Sequence, residues 1–172
     1  MAECKNIMVY VETAEGNPVK VGLEMLSPAK KLADKVTAVV IGGGVADAAK
    51  EVAKAGADQV ICVDSEDYKE FNLDAYAQVL VELVKRRKSR SCICRWNTGW
   101  KRYRTSVAAK CNTGCASDVL DIKAEDGEVN LYMPTLWWNC IGRCKDQDNT
   151  TDSNITFWSI PESGRPKLRV KL

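Results

Sequence analysis

Apolar positions fall into two textures along the first half of this chain. Asn6 to Glu12 (NIMVYVE), Val36 to Gly42 (VTAVVIG) and Gln59 to Asp64 (QVICVD) are short runs rich in β-branched residues, the pattern of strands buried on both faces. Between them the spacing turns helical. Val45, Ala48, Ala49, Val52 and Ala53 recur at helical intervals before Gly56, which fits a helix C-cap, and Tyr76, Val79, Leu80, Leu83 and Val84 do so within Leu73 to Lys88. Val19 to Lys35 is also helical in pattern. There Ser27-Pro28 either begins a second helix, as N-cap and first residue, or kinks the first. Strand and helix in alternation predict βαβ units on a parallel sheet.

The second half is less regular. Asp118 to Met133 (DVLDIKAEDGEVNLYM) holds two extended runs about Glu125-Asp126-Gly127, which predicts an antiparallel hairpin at an edge or flap. From Pro134 to Ile160 no period is clean. The tail PESGRPKLRVKL reads as a linker or terminal arm.

Composition narrows the classes. A chain of 172 residues, 45% hydrophobic, has enough apolar surface for one globular domain. Its formal charge of +2 argues for no polyanionic partner, so any such case rests on how charge is clustered. No apolar run approaches the roughly 20 residues that span a bilayer, and MAECKNIMVY lacks the form of a signal peptide. The chain therefore reads as cytoplasmic and not membrane-inserted. In that compartment its eight cysteines are expected as thiols rather than disulfides, and the sequons at Asn149 and Asn154 go unused.

Three features could carry chemistry. Ile41 to Ala49 (IGGGVADAA) sets glycines between a strand and a helix, where N–H groups can face a phosphate; Asp47 stands where the dinucleotide pattern needs its third glycine, so a tight turn is the better reading. Glu12 and Asp64 close their strands and could bind a ribose or a metal, or simply be solvated. The pairs Cys92/Cys94, Cys111/Cys115 and Cys140/Cys144 supply thiolates in number, yet none has the two-residue gap of common metal sites and the chain has no histidine. Buried thiols explain them better, and Cys4 and Cys62 read as buried or surface thiols too. Finally, Lys85 to Arg104 holds nine Lys or Arg with Trp96, Trp100 and Tyr103 interleaved, a possible groove for single-stranded nucleic acid. That run occupies the place where a parallel sheet needs its fourth buried strand.

The segments NIMVYVE, LEMLSPAKKLADKVTAVVIG, AKEVAKAGADQVICVD, LDAYAQVLVELVK and VAAKCNTGCASDVLDI, in that order and spacing, resemble the N-terminal domain of the alpha subunit of electron transfer flavoprotein. The resemblance runs to about residue 88 and resumes from Val107 to Met133. Between them the family carries an apolar strand, a Gly-Arg-Asp turn and a helix, which residues 89–106 lack. Back-translated and read one nucleotide later, these residues allow that pattern: Trp96 and Trp100 force glycine, and Lys101 to Ser106 allow Arg-Asp-Ile-Ala-Pro-Arg. The same shift turns Trp137 and Trp138 into Gly-Gly within residues 136–160, and all five tryptophans, Trp158 included, lie in the two windows. Both windows thus look frame-shifted relative to the family.

The resemblance implies a parallel-sheet βαβ fold, Rossmann-like and similar to the adenine nucleotide alpha hydrolases. It implies residues 1–160 as the N-terminal domain, 161–172 as a linker or arm, and an FAD-binding C-terminal domain beyond this chain. It further implies a heterodimeric electron carrier rather than an enzyme, with an electron transfer flavoprotein beta subunit and flavoprotein dehydrogenases such as those acting on acyl-CoA as partners, and no nucleic acid. FAD belongs to the complete heterodimer; no catalytic, cofactor-binding or metal residue is assigned here. Gly42 and Gly43 mark the crevice where relatives of the beta subunit bind adenine nucleotide. Two other readings stand beside it, a standalone adenine-nucleotide module and a nucleic-acid-binding protein using Lys85 to Arg104. If the windows are translated as written, Arg90 and Arg95 enter a buried sheet without partners, and folding after residue 88 should be poor.

Overall fold

The elements of the computed structural model are β1 (Ile7–Tyr10), β2 (Thr13–Ala14), β3 (Asn17–Pro18), α1 (Lys20–Glu24), α2 (Leu26–Leu32), β4 (Val36–Gly42), α3 (Ala46–Lys54), β5 (Gln59–Asp64), α4 (Leu73–Arg87), β6 (Ser91–Arg95), α5 (Trp100–Lys110), β7 (Cys115–Ala116), β8 (Asp121–Glu125), β9 (Glu128–Thr135), β10 (Cys140–Lys145) and β11 (Thr156–Ile160). The structure describes residues 6–87, 91–95, 100–112, 115–116, 119, 121–125, 128–135, 140–145 and 156–160.

Six strands form one sheet in the order β5-β4-β1-β6-β11-β7, and each pairing in it is parallel. Alternation along β1 sends side chains to two cores. Ile7 and Val9 join Met25, Leu26 and Ala29 of the α1–α2 segment and Ala48 and Val52 of α3 on one face. Met8 and Tyr10 join Tyr76, Ala77, Leu80 and Val84 of α4 and Val107 and Ala108 of α5 on the other. Every residue of β1 and β4 is buried, as a strand covered by helices on both faces must be. The expected α/β architecture is present.

Some expectations change. β5 was expected to be buried on both faces, but it is the sheet's edge strand, with Cys62 and Asp64 exposed. The break in the Val19–Lys35 helix falls at Met25, ahead of Ser27, and neither resulting helix has a side-chain cap. Pro28 sits inside the first turn of α2, where its missing N–H removes no helical hydrogen bond. Gly56 follows the last residues of α3 at φ +107°, as a glycine at a helix end should. Asn72 caps α4, its Oδ1 accepting from the N–H of Asp74 at 3.0 Å and of Ala75 at 3.3 Å.

The predicted hairpin is β8–β9, with Glu125 opposite Glu128 across the Asp-Gly pair. Rather than an edge of the main sheet, it forms a separate antiparallel sheet with β10. β6 fills the fourth-strand place beside β1, with Arg95 as its last residue, in register with Ile160. Arg90 and the tail from 161 onward lie outside the described residues. Among the described residues no helix is long and apolar enough to cross a membrane.

Candidate functional site

In a parallel sheet the carboxyl ends of the strands meet at one edge, and that is where ligands bind in open α/β folds. Here the ends of β1 and β4 open into a crevice of about 730 Å³. Its floor is Tyr10, Ile41, Gly42 and Gly43; Glu12, Thr13, Glu15 and Gly16 form one wall, and Tyr68, Lys69, Phe71 and Tyr76 the other.

The glycine loop is closed by the protein's own groups. The Gly44 N–H donates to Asp64 Oδ1 at 2.7 Å, and the Ser65 N–H donates to the Gly42 carbonyl at 3.1 Å. A Cβ on Gly42 would stand 2.7 Å from Val45 Cγ1, and one on Gly43 would stand 3.1 Å from Lys69 Cβ and 3.3 Å from the Ser65 carbonyl oxygen. These glycines are therefore demanded by close packing. Asp64, a candidate ribose or metal ligand, is engaged in holding the loop. Glu12 does line the crevice.

The first wall comes from a hairpin that the sequence reading passed over. β2 pairs with β3 about Glu15 and Gly16, at φ 51° and 78°, the positive pair that a two-residue primed turn requires. Glu-Gly between two short extended stretches was the available signal. A Cβ on Gly16 would lie 3.8 Å from the Gly44 carbonyl oxygen, so the hairpin leans over the glycine loop.

Aromatic residues make the second wall, and they too were missed as a group. Tyr76 packs edge-on against Tyr68 at 5.7 Å and against Phe71 at 5.0 Å between ring centroids. Its hydroxyl donates to the Tyr68 carbonyl at 2.7 Å. Burial, and then the neighbouring Tyr68, pushes the Tyr76 hydroxyl above its ordinary range, so it stays protonated. Lys69 lies 3.6 Å from Glu66, one turn away.

The other candidates do not assemble. Cys92 and Cys94 lie in β6, Cys111 follows α5, Cys115 is in β7, and Cys140 and Cys144 are in the separate antiparallel sheet. Among the described residues no group of three or more Cys, Asp or Glu could hold a metal ion. Cys111 is buried in the α4–α5 core, which raises its thiol pKa, with Lys85 opposing. Cys62 is exposed at the edge strand, and its thiol too is pushed up, by partial burial and by Asp64. Cys4 is outside the described residues. The basic run is divided by the topology: Lys85 and Arg86 end α4 near the amino edge of the sheet, whereas Lys101, Arg102 and Arg104 begin α5 after β6 has crossed to the carboxyl edge. About 16 Å of strand separates them. Arg86 is itself bonded to Glu82 at 2.7 Å.

Residues 7–136 match the family model of the electron transfer flavoprotein domain. The chain is 34% identical over 120 residues to the electron transfer flavoprotein subunit alpha of Syntrophomonas wolfei, covering 70% of this chain and 38% of that protein. It is 31% identical to the protein FixB of Clostridium saccharobutylicum, over 81% of this chain and 43% of the relative. It is 30% identical to the acryloyl-CoA reductase electron transfer subunit beta of Anaerotignum propionicum, over 77% and 36%. The chain thus spans less than half the length of these relatives. Family members are flavoproteins that carry electrons, yet the glycine loop here does not offer its Gly44 N–H to a flavin pyrophosphate, since that N–H is bonded to the Asp64 carboxylate. With its parallel sheet, its glycine loop and these relatives, the chain belongs to the electron transfer flavoprotein family, as an N-terminal domain of the alpha-subunit kind.

Proposed function

We propose that this chain is the N-terminal part of an electron transfer flavoprotein alpha subunit, and that it serves as a scaffold for the flavin-carrying assembly. Residues 1–160 are the domain and 161–172 the arm leading to an FAD-binding domain in the longer protein. Its partner is a beta subunit of related fold, and the heterodimer takes electrons from flavoprotein dehydrogenases in the cytoplasm. The observation that carries the scaffold reading is the 2.7 Å bond from the Gly44 N–H to Asp64. A loop whose N–H groups cradle a phosphate leaves them for the ligand; this one gives its N–H to a side-chain anion. The protein's contribution to flavin chemistry is then positioning and tuning, exerted through the assembly rather than through this crevice.

Co-expression of the chain with a beta subunit from the same source tests this reading. Copurification as a one-to-one complex, with FAD retained only when the longer alpha subunit is supplied, is expected. Stoichiometric FAD or AMP on the isolated chain would instead make it a nucleotide-binding module in its own right.

A further inference from the structure

β5 closes the main sheet on one side and, among the described residues, pairs with β4 alone. The direction of its free backbone groups follows from the ladder. Ile7 and Val11 donate to the carbonyls of Lys35 and Val39, so the even-numbered residues of β4 turn to β5, and the Ser65 N–H accordingly reaches the Gly42 carbonyl at 3.1 Å. At a period of two, the odd-numbered residues of β5 hold β4, and Val60, Cys62 and Asp64 turn their N–H and C=O groups outward. Asp58, just before the strand, also bonds the Val36 carbonyl. Cys62 and Asp64 are exposed. Natural sheet edges are blunted by proline, lysine or a bulge; β5 (QVICVD) has neither residue, and its register with β4 is unbroken.

The two ends of this edge differ in charge. Lys30 and Lys35 lie about Asp58 at the amino end, where Lys54 also ends α3. At the carboxyl end stand Asp64, Glu66 and Asp67, with Lys69 beside Glu66. The basic start of α5 follows β6, three strands further across the sheet. That is about 14 Å away, beyond the ~8 Å over which charge acts at physiological salt.

We propose that β5 is a dimerisation edge, along which a second copy of this chain pairs antiparallel and joins the two sheets across a two-fold axis. Antiparallel pairing brings the basic end of each copy to the acidic end of the other, and the two-fold makes one patch serve both partners. The register follows from the outward groups, which must face one another. With the axis at Ile61, Asp58 would stand opposite Asp64 of the second copy, two carboxylates directly opposed. With the axis at Cys62, Cys62 faces Cys62 of the second copy, Ile61 faces Val63 and Val60 faces Asp64, with roughly six main-chain hydrogen bonds between outward groups. An interface of this size gives weak, reversible association. The inference is independent of the scaffold reading.

Sedimentation equilibrium of the full chain under reducing conditions, from low to high micromolar concentration, tests it. A reversible monomer–dimer equilibrium is expected, weakened about tenfold or more by Cys62→Lys, which sets two lysines against each other at the axis. Asp47→Asn, an exposed change on α3, is expected to leave it unaltered. A short bis-maleimide should link the unmodified chain into a dimer, with peptide mass spectrometry mapping the link to Cys62 of both copies. That readout stands even if the lysine variant fails to fold. A monomer at every concentration, a dimer indifferent to Cys62→Lys, or links confined to other cysteines would overturn the proposal and leave the scaffold role intact. So would a complex with a beta subunit in which Cys62 becomes protected from alkylation, since the edge would then belong to that partner.

Discussion

The two halves of the central sheet are built to different standards. β5, β4 and β1 come from residues 6–64, and in β4 the run Val-Thr-Ala-Val-Val-Ile-Gly is buried throughout. β6, Ser-Cys-Ile-Cys-Arg, stands beside β1 in an equally central place, yet begins with a serine and ends with an arginine. The helices differ in the same sense. α3 and α4 carry Asp47 and Asp74 in their first turns, where a negative charge suits the helix dipole, while α5 has no acid there and opens with Lys101 and Arg102. The place of each element follows from topology; the residue chemistry of the second half does not match its place.

A one-nucleotide shift reconciles the two. It forces a glycine in place of Trp100 and allows Arg-Asp in place of Lys101-Arg102, a glycine at the start of α5 and an acid in its first turn. The family match also ends at residue 136, where the second odd window begins. We infer that residues 89–106 and 136–160 represent a neighbouring reading frame of a family gene. From Val107 to Met133 the family resemblance resumes, and there Val107, Ala108 and Cys111 are buried against α4.

The largest expected effect comes from restoring both windows to the shifted reading. This should raise stability by about 2–5 kcal/mol, the scale of restoring large apolar residues to a core strand, seen as a higher urea midpoint. No gain would break the comparison. Next, Leu80→Ala, at 1% exposure in α4, should cost about 2–5 kcal/mol, and Val107→Ala in α5 about 1.5 kcal/mol, both by chemical denaturation. If neither lowers the midpoint, the α4–α5 core is not packed as described. Gly42→Ala puts a Cβ 2.7 Å from the buried Val45 Cγ1 and should cost about 1–3 kcal/mol, measured by thermal melting.

The smallest effect concerns Asp58. Its Oδ2 accepts from the Val36 N–H at 2.9 Å and its Oδ1 lies 3.2 Å from Lys30. The backbone hydrogen bond, then Lys30 and Lys35, hold its carboxyl below the ordinary 3.8, with desolvation opposing. A depressed folded pKa stabilises above the unfolded value and loses that contribution as pH falls from about 4 through the folded pKa. Asp58→Asn should flatten that part of the stability profile by a fraction of a kcal/mol, after solvent screening. An unchanged slope between pH 4 and the acid limit would contradict it.

Much of the first half was legible because its strands declare themselves. β4 and β5 fall on the predicted residues, since an unbroken β-branched run bounded by glycine or aspartate has one good reading. The split at Met25 was not legible, for it carries no capping side chain. Exposure of β5 follows from its edge position, which pattern alone does not reveal. Glu12 was read only as an acid closing its strand, a ribose or metal ligand or a solvated group, and the structure puts it in the crevice lining. That Asp64 would be bonded to Gly44 depended on a contact across 20 residues, and the aromatic wall depended on Tyr76 reading first as a helix-core residue and Phe71 as loop. β10 and β11 lay in a segment where the sequence shows no clean period.

Peptide mass spectrometry of the native protein across residues 85–160 tests the central claim most directly. The account predicts peptides containing Gly-Arg-Asp and Gly-Gly in place of the tryptophan-bearing stretches. Peptides carrying Trp96, Trp100, Trp137 and Trp138 would contradict it, and would make the cationic, thiol-rich second half the genuine surface of this domain.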